Sequence, residues 1–264
     1  LRENRLRKRL DASSPTIGTR VNIVWPAVAE VIGHTGAYDY VEFLAEYAPY
    51  NLHDLDNFCR GIELSDMSAI IKIDQEPRGF LAQRAIGAGF QGVLFADCRS
   101  PKDVAHCVRI VRPETPDDGG IHGVGSRRFT YVGQSGTPEY VQALRDIVVM
   151  IMIEKRGTVE HLEEVLAIPG IDMIQWGGSD YSMSVGRAGE RGSPEIRAVE
   201  RNVFETALQM GVQPRAEIGS VDQCRYYLDM GVRHFSLGTD LSILHGWWKE
   251  NGDALRKVLS DAYP

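Results

Sequence analysis

Short aliphatic and β-branched runs alternate along the chain with longer stretches of helical period. Eight runs read as strands: TIGTRVNI (16–23), YDYVEFL (38–44), SAIIKI (68–73), GVLFAD (92–97), IVVMIMIE (147–154), DMIQWG (172–177), PRAEIG (214–219) and HFSLGTD (234–240). The helical stretches between them carry recognisable stops and starts. FLAQRAIGAG ends in glycine, and SPKDVAHCVRIVR opens with Ser100 as a cap and Pro101 at the first helical position. SPEIRAVERNVFETALQMG repeats that grammar. Eight strands alternating with helices in 264 residues predict an α/β fold, a single (β/α)8 TIM barrel over residues 1–264 with an N-terminal helix and an extended C-terminal helix. A doubly wound open sheet is the alternative, but it usually has fewer strands, and no G-x-G-x-x-G follows the first one.

Two segments break the rhythm. Residues 113–136, PETPDDGGIHGVGSRRFTYVGQSG, form a loop of a length that is usually functional or disordered. The tail LSILHGWWKENGDALRKVLSDAYP groups Leu241, Ile243, Leu244, Trp247 and Trp248 on one helix. That apolar surface either docks on another subunit or packs on the chain's own barrel.

Composition narrows the class. Hydrophobic residues make up 43% and charged residues 25%, as in an ordinary soluble protein. A net charge of −7 gives no electrostatic case for nucleic acid or an anionic membrane. No apolar run reaches the length of a membrane span. The opening LRENRLRKRLDASSP lacks the apolar centre of a signal peptide, and the missing initiator Met suggests trimming. Cys59, Cys98, Cys107 and Cys224 form no CxxC pair and no metal-finger spacing, so reduced thiols in a cytoplasmic protein are expected.

The chemistry gathers at strand ends. The active site of such a barrel lies at the C-terminal ends of its strands, where VVMIMI runs into Glu154. The next strand runs into GGSDYS, which puts Asp180 on the same rim. Neighbouring strands lie roughly 5 Å apart, so two carboxylates there can share one cation. Two hard oxygen ligands with room for water and substrate suit Mg²⁺ or Mn²⁺. The structural alternative is that Glu154 pairs with Lys155 or Arg156 while Asp180 caps a turn.

GTRVNI, GAYDYVEFLAEYAPY, GIHGVGSRR, IMIEKRGTVEHLEEVLAIPGIDMIQWGGSDYSMSVG and FSLGTDLSIL together resemble the HpcH/HpaI aldolase family of 2-oxo acid enzymes. The resemblance covers nearly the whole chain. It implies a (β/α)8 barrel, a hexamer (a trimer of dimers) with exchanged C-terminal helices, and a divalent metal, Mg²⁺, Mn²⁺ or Co²⁺. That metal binds the 2-oxo acid, acts as a Lewis acid and stabilises an enolate. Glu154 and Asp180 fall on its two ligands, and Gly178 and Ser179 fall where backbone meets the pyruvate carboxylate.

This chain departs from the family pattern in one half of that site. After the second strand the family reads acid-G-E-H-A-P, whereas here Leu44 replaces the acid and Tyr47 the histidine that serves as base. Gly87 stands where the family has the aspartate that tunes that histidine. Lys72 stands for an arginine, Met152 for a glutamine, and His122 for the arginine of GIRG. The acid–base candidates are therefore Tyr47, Lys72 and His122, and Arg127 or Arg128 can grip a distal carboxylate. His122 has a structural alternative as a solvent-exposed loop residue. Asp240, at the end of the eighth strand, is expected to cap the last helix. The expected function is a metal-dependent carbon–carbon lyase acting on a 2-oxo acid through a metal-bound enolate. The alternatives are decarboxylation of an oxaloacetate-like acid, which needs no C–H base, and a degenerate member that only binds.

Overall fold

The computed structural model describes residues 1–263, the side chain of Phe129 excepted. Eight parallel strands close into a barrel in chain order. They are β1 (Thr16–Val21), β2 (Tyr40–Leu44), β3 (Ser68–Ile73), β4 (Gly92–Phe95), β5 (Val148–Ile153), β6 (Met173–Trp176), β7 (Gln213–Ile218) and β8 (His234–Thr239). All eight expected runs form strands. Most end slightly inside the expected bounds, because residues such as Asp97 and Glu154 leave the ladder to serve the rim.

The helices are α1 (Arg5–Asp11), α2 (Pro26–His34), α3 (Leu52–Glu63), α4 (Arg78–Ala88), α5 (Pro101–Val111) and α6 (Pro138–Arg145). They continue with α7 (Arg156–Glu160), α8 (Leu162–Leu166), α9 (Gly178–Ser184), α10 (Pro194–Gln209), α11 (Cys224–Leu228) and α12 (Asp240–Ala262). The expected caps form: Asp103 N–H donates to Ser100 Oγ at 3.2 Å and Ile196 N–H to Ser193 Oγ at 3.4 Å. Each oxygen satisfies a first-turn donor that the helix itself leaves free.

Apolar packing falls in two layers, as the two-residue period of a strand covered on both faces requires. Between strands and helices lie residues such as Phe43, Phe58, Phe90, Val93 and Ile151. Inside the barrel lie Tyr40, Ile70, Leu94, Val148, Met150 and Met173, joined by Leu6 of α1. Leu6 is fully buried. Asn4 Nδ2 donates to the carbonyls of Gln91 at 2.7 Å and Asp146 at 2.8 Å, just before β4 and β5. Helix α1 thus closes the N-terminal end of the barrel and leaves the C-terminal end as the mouth.

The helices run back from the mouth, so the 113–136 loop, which follows α5, lies at the closed end. Helix α12 behaves differently from the others. Only Asp240 of it is buried, while Trp247 and Trp248 are 63% and 62% exposed. At its start Ile243 lies against Gly238 of β8 and Leu244 is half-buried, but Trp247, Trp248, Leu255 and Val258 stand free of the chain's own barrel. Among the described residues, no helix is long and apolar enough to cross a membrane.

Candidate active site

A cavity of about 850 Å³ opens at the mouth, with Glu154, Asp180, Lys72 and Tyr47 in its wall. Glu154 follows the last residue of β5 and is 3% exposed. Its Oε1 accepts from Asp97 N–H at 2.7 Å. Asp97 holds φ at +58°, a left-handed conformation uncommon outside glycine, as it leaves β4. The other oxygen lies over Gly177, where a Cβ would stand 2.5 Å from Oε2, so no larger residue fits there without moving the carboxylate. Burial pushes the Glu154 pKa up to about 7, and Asp180 adds to this. The Asp97 amide, Lys72 and Lys155 pull the other way.

Asp180 stands in the first turn of α9. Lys155 Nζ bridges Asp97 Oδ1 at 2.6 Å and Asp180 Oδ1 at 2.7 Å. Arg156 turns away to Glu160 at 2.6 Å. The cation next in sequence to Glu154 therefore serves two aspartates instead, which leaves Glu154 as a buried carboxylate held by one backbone amide.

Across the mouth, Lys72 of β3 is buried, with Nζ 2.6 Å from Glu46 Oε2 and donating to the Tyr47 hydroxyl at 2.5 Å. Burial opposes the Lys72 charge, but Tyr47 and Glu46 outweigh it, and its pKa is raised. Tyr47 is 58% exposed, and its hydroxyl, which accepts from Lys72, lies beside the Glu46 carboxylate. Burial and the Glu46 carboxylate push the phenol up to about 12 against the pull of Lys72. A phenol held there is neutral at physiological pH.

A model of the HpcH/HpaI aldolase/citrate lyase family matches residues 23–245. The chain belongs to this family. The 5-keto-4-deoxy-D-glucarate aldolase of Klebsiella pneumoniae is 26% identical over 260 residues, 96% of this chain and 97% of its own. The 4-hydroxy-2-oxo-heptane-1,7-dioate aldolase of Escherichia coli is 24% identical over 250 residues, 92% of this chain and 91% of its own. A crystal structure of an HpcH/HpaI aldolase/citrate lyase family protein from Burkholderia cenocepacia superposes with a TM-score of 0.86 at 27% identity, covering 97% of this chain and 99% of that one. As an HpcH/HpaI aldolase/citrate lyase family member, the protein is a carbon–carbon lyase of the aldolase type.

Within the lyase, Glu154, Asp180, Gly178, Ser179, Met152, Lys72 and Tyr47 all line the one cavity. The loop candidates do not reach it within this chain. His122 is neither catalytically placed nor solvent-exposed. It is buried, bridged to Pro113, with Nδ1 3.2 Å from the Ile110 carbonyl beside the end of α5. Burial pushes its pKa down. Arg127 Nη1 donates to Gln83 O at 3.2 Å, and Arg128 ties the Ala88 carbonyl, at 2.7 Å, to Glu63. At the closed rim Arg128 braces the ends of α3 and α4, and Arg127 lies along α4 against Gln83 and Gly87. A Cβ on Gly87 would meet Arg127 Cδ at 2.2 Å, so within one chain Gly87 cannot partner position 47. Asp240 is the first residue of α12 and not its cap, a position held by Thr239 without a side-chain cap; its carboxylate accepts from Asn22 and Ile23 N–H at 2.8–3.0 Å and pins the exit of β1.

Sequence reasoning missed Glu46, Asp97 and Lys155 around the two halves of the site. It also missed an ionic wall inside the barrel. Glu42 and Arg215 pair at 2.5 Å with both side chains 0% exposed, and Arg20 Nη1 pairs with Glu217 Oε2 at 2.7 Å. Each charge inside a covered strand could be read as pointing into the barrel, but their pairing could not.

The donor set fits a hard cation. No group of three or more His, Cys, Asp or Glu that could hold a metal occurs among the described residues. Two carboxylates at an open cavity match an ion that keeps most of its shell for water and substrate, as Mg²⁺ does.

Proposed function

We propose that this lyase is divalent-metal-dependent and cleaves a 2-oxo acid to pyruvate and an aldehyde. The observation that carries the reading is Glu154. It is a buried carboxylate that burial and Asp180 hold near neutral pKa, and a cation shared by Glu154 and Asp180 relieves that cost. When bound, Mg²⁺, Mn²⁺ or Co²⁺ supplies Lewis acidity to the 2-oxo group. The names of the relatives, both aldolases of oxo acids, support the same class.

The chain's own residues do the rest. The first-turn amides of α9 at Gly178 and Ser179 have no partner inside the helix and orient the substrate carboxylate. Lys72 is a fixed positive charge facing Glu154 across the mouth, and it steadies negative charge that develops on a substrate oxygen. The neutral Tyr47 hydroxyl sits between Lys72 and Glu46, so a proton leaving a substrate hydroxyl can pass through Tyr47 to the Glu46 carboxylate.

A second reading has its own observation. A neutral phenol raised to about 12 is a poor base, and decarboxylation of an oxaloacetate-like acid removes no proton from its substrate, whereas aldol cleavage removes the hydroxyl proton. We further infer a homo-oligomer, a hexamer in the family pattern, because Trp247, Trp248, Leu255 and Val258 form an unburied apolar face on α12. The deciding experiment is a screen of 2-oxo acids with Mg²⁺, Mn²⁺ and Co²⁺, following pyruvate and CO₂ separately. Pyruvate with an aldehyde supports the lyase reading, and CO₂ alone supports the second. Neither product with any acid or metal refutes both.

A further inference from the structure

The barrel interior is divided. From β3 to β6 its inward positions carry Ile70, Leu94, Ala96, Met150, Met152 and Met173, with Lys72 the charge above them at the mouth. From β6 round to β2 they carry Gln175, Arg215, Glu217, Arg20 and Glu42 in one connected chain. Arg215 pairs with Glu42 at 2.5 Å and donates through Nε to Gln175 Oε1 at 2.6 Å. Gln175 Nε2 donates to Glu217, and Glu217 pairs with Arg20 at 2.7 Å. A barrel interior is ordinarily filled by bulky branched side chains, so four charges there need a reason.

Position and charge supply one. The lower pair, Glu42 and Arg215, is sealed and anchors the upper pair. The upper pair lines the same cavity as Glu154 and Asp180, with Arg20 17% and Glu217 31% exposed at the side chain. Arg20 Nε is buried and has no hydrogen-bond partner among the described residues. Two arginines and two glutamates sum to zero. A carboxylate tail would therefore meet Glu217 beside a guanidinium already neutralised. An apolar tail would take the part-exposed pair out of water and add no hydrogen bond to it. A hydroxyl satisfies both, accepting from Arg20 and donating to Glu217.

We propose that Arg20 and Glu217 read hydroxyl groups on the distal carbons of the substrate, which makes this protein selective for polyhydroxylated, sugar-acid-like 2-oxo acids. The inference rests on the lyase reading for its reaction and on the ionic wall for its specificity. Met152 and the apolar half of the interior face the pyruvate end, and the wall faces the tail.

The test runs the reaction towards addition with the full chain loaded with Mg²⁺. C3 of pyruvate bonds the aldehyde carbon, one C3 proton leaves, and the aldehyde oxygen gains one. Glyceraldehyde, butanal and succinic semialdehyde represent hydroxylated, apolar and carboxylate tails. The parent is expected to favour glyceraldehyde over butanal in kcat/KM by about a hundredfold or more. Glu217→Leu removes the acceptor and is expected to narrow that ratio by about tenfold. Glu217→Gln keeps the size but leaves Arg20 unbalanced, and is expected to raise succinic semialdehyde against glyceraldehyde by about tenfold. A parent that prefers butanal, or ratios unchanged in both variants, overturns the assignment. Should the parent add pyruvate to none of the three, the lyase reading fails, and calorimetric binding of D-gluconate against hexanoate decides the wall. Tighter gluconate binding that Glu217→Leu abolishes supports it, and equal binding of the two overturns it.

Discussion

Glu42→Gln leaves the Arg215 guanidinium inside the barrel without its counter-charge. Both side chains are 0% exposed, and the pair is 2.5 Å apart. Removing one partner of such a pair costs about 3–5 kcal/mol, because the remaining charge stays desolvated. The lower end applies here, since the Gln175 oxygen still accepts from Arg215 Nε at 2.6 Å. A domain is stable by only about 5–15 kcal/mol, so the loss is a large share of the total. For a chain of 264 residues that lower end corresponds to a fall in Tm of roughly 5–6 °C. Differential scanning calorimetry measures this directly, and urea unfolding should show a lower midpoint at unchanged slope. The double variant Glu42→Met with Arg215→Leu removes both charges and should recover most of the loss, because buried ion pairs are often replaceable by apolar residues of similar volume. A Glu42→Gln protein that melts with the parent would show that the pair is not desolvated and would refute the reasoning.

Three further outcomes are expected. Tyr47→Phe should lose on the order of tenfold in rate, with no alkaline limb in the parent's pH profile below about 10, because the phenol is held up near 12; a limb that rises and disappears in the variant would make Tyr47 an ionised base. His234 is buried, and burial with Arg233 and Arg215 pushes its pKa down to about 4, so the unfolded chain takes up its proton first and stability falls as pH drops from about 6.5 to 4. The term is on the order of 3 kcal/mol, and His234→Gln should flatten the acid side of the stability curve relative to the parent; an identical slope contradicts it. Trp247→Ser with Trp248→Ser should lower the sedimenting mass, whereas a parent that sediments as a stable monomer contradicts the docking role of α12.

The fold was legible because strand runs and helix caps are local signals. Ser100–Pro101 and Ser193–Pro194 mark helix starts by chemistry contained within a few residues. The rim carboxylates were legible for the same reason, since a polar residue ending an apolar run marks a strand end. The ionic wall was not legible from local pattern. Its members, Arg20, Glu42, Gln175, Arg215 and Glu217, come from four strands scattered over most of the chain, and only the closed register brings them together. Topology would have corrected the reading of the long loop. A segment that follows a helix on the way to the next strand lies at the closed end of a barrel, so His122, Arg127 and Arg128 were candidates by motif resemblance and residue type and not by place. Lys155 entered only as an alternative partner for Glu154, because sequence adjacency says nothing about direction: neighbouring residues at a strand end point to different sides, and Lys155 reaches Asp97 and Asp180.

The proposed cation held by Glu154 and Asp180, on which activity depends, is tested by calorimetric titration of Mn²⁺ into the parent and into Glu154→Gln, paired with pyruvate release from a 2-oxo acid by the same preparations. The expected result is binding and Mn²⁺-dependent pyruvate release in the parent, with both lost in Glu154→Gln while its thermal unfolding remains cooperative. A folded Glu154→Gln protein that still binds Mn²⁺ and still releases pyruvate at the parent's rate would contradict the claim.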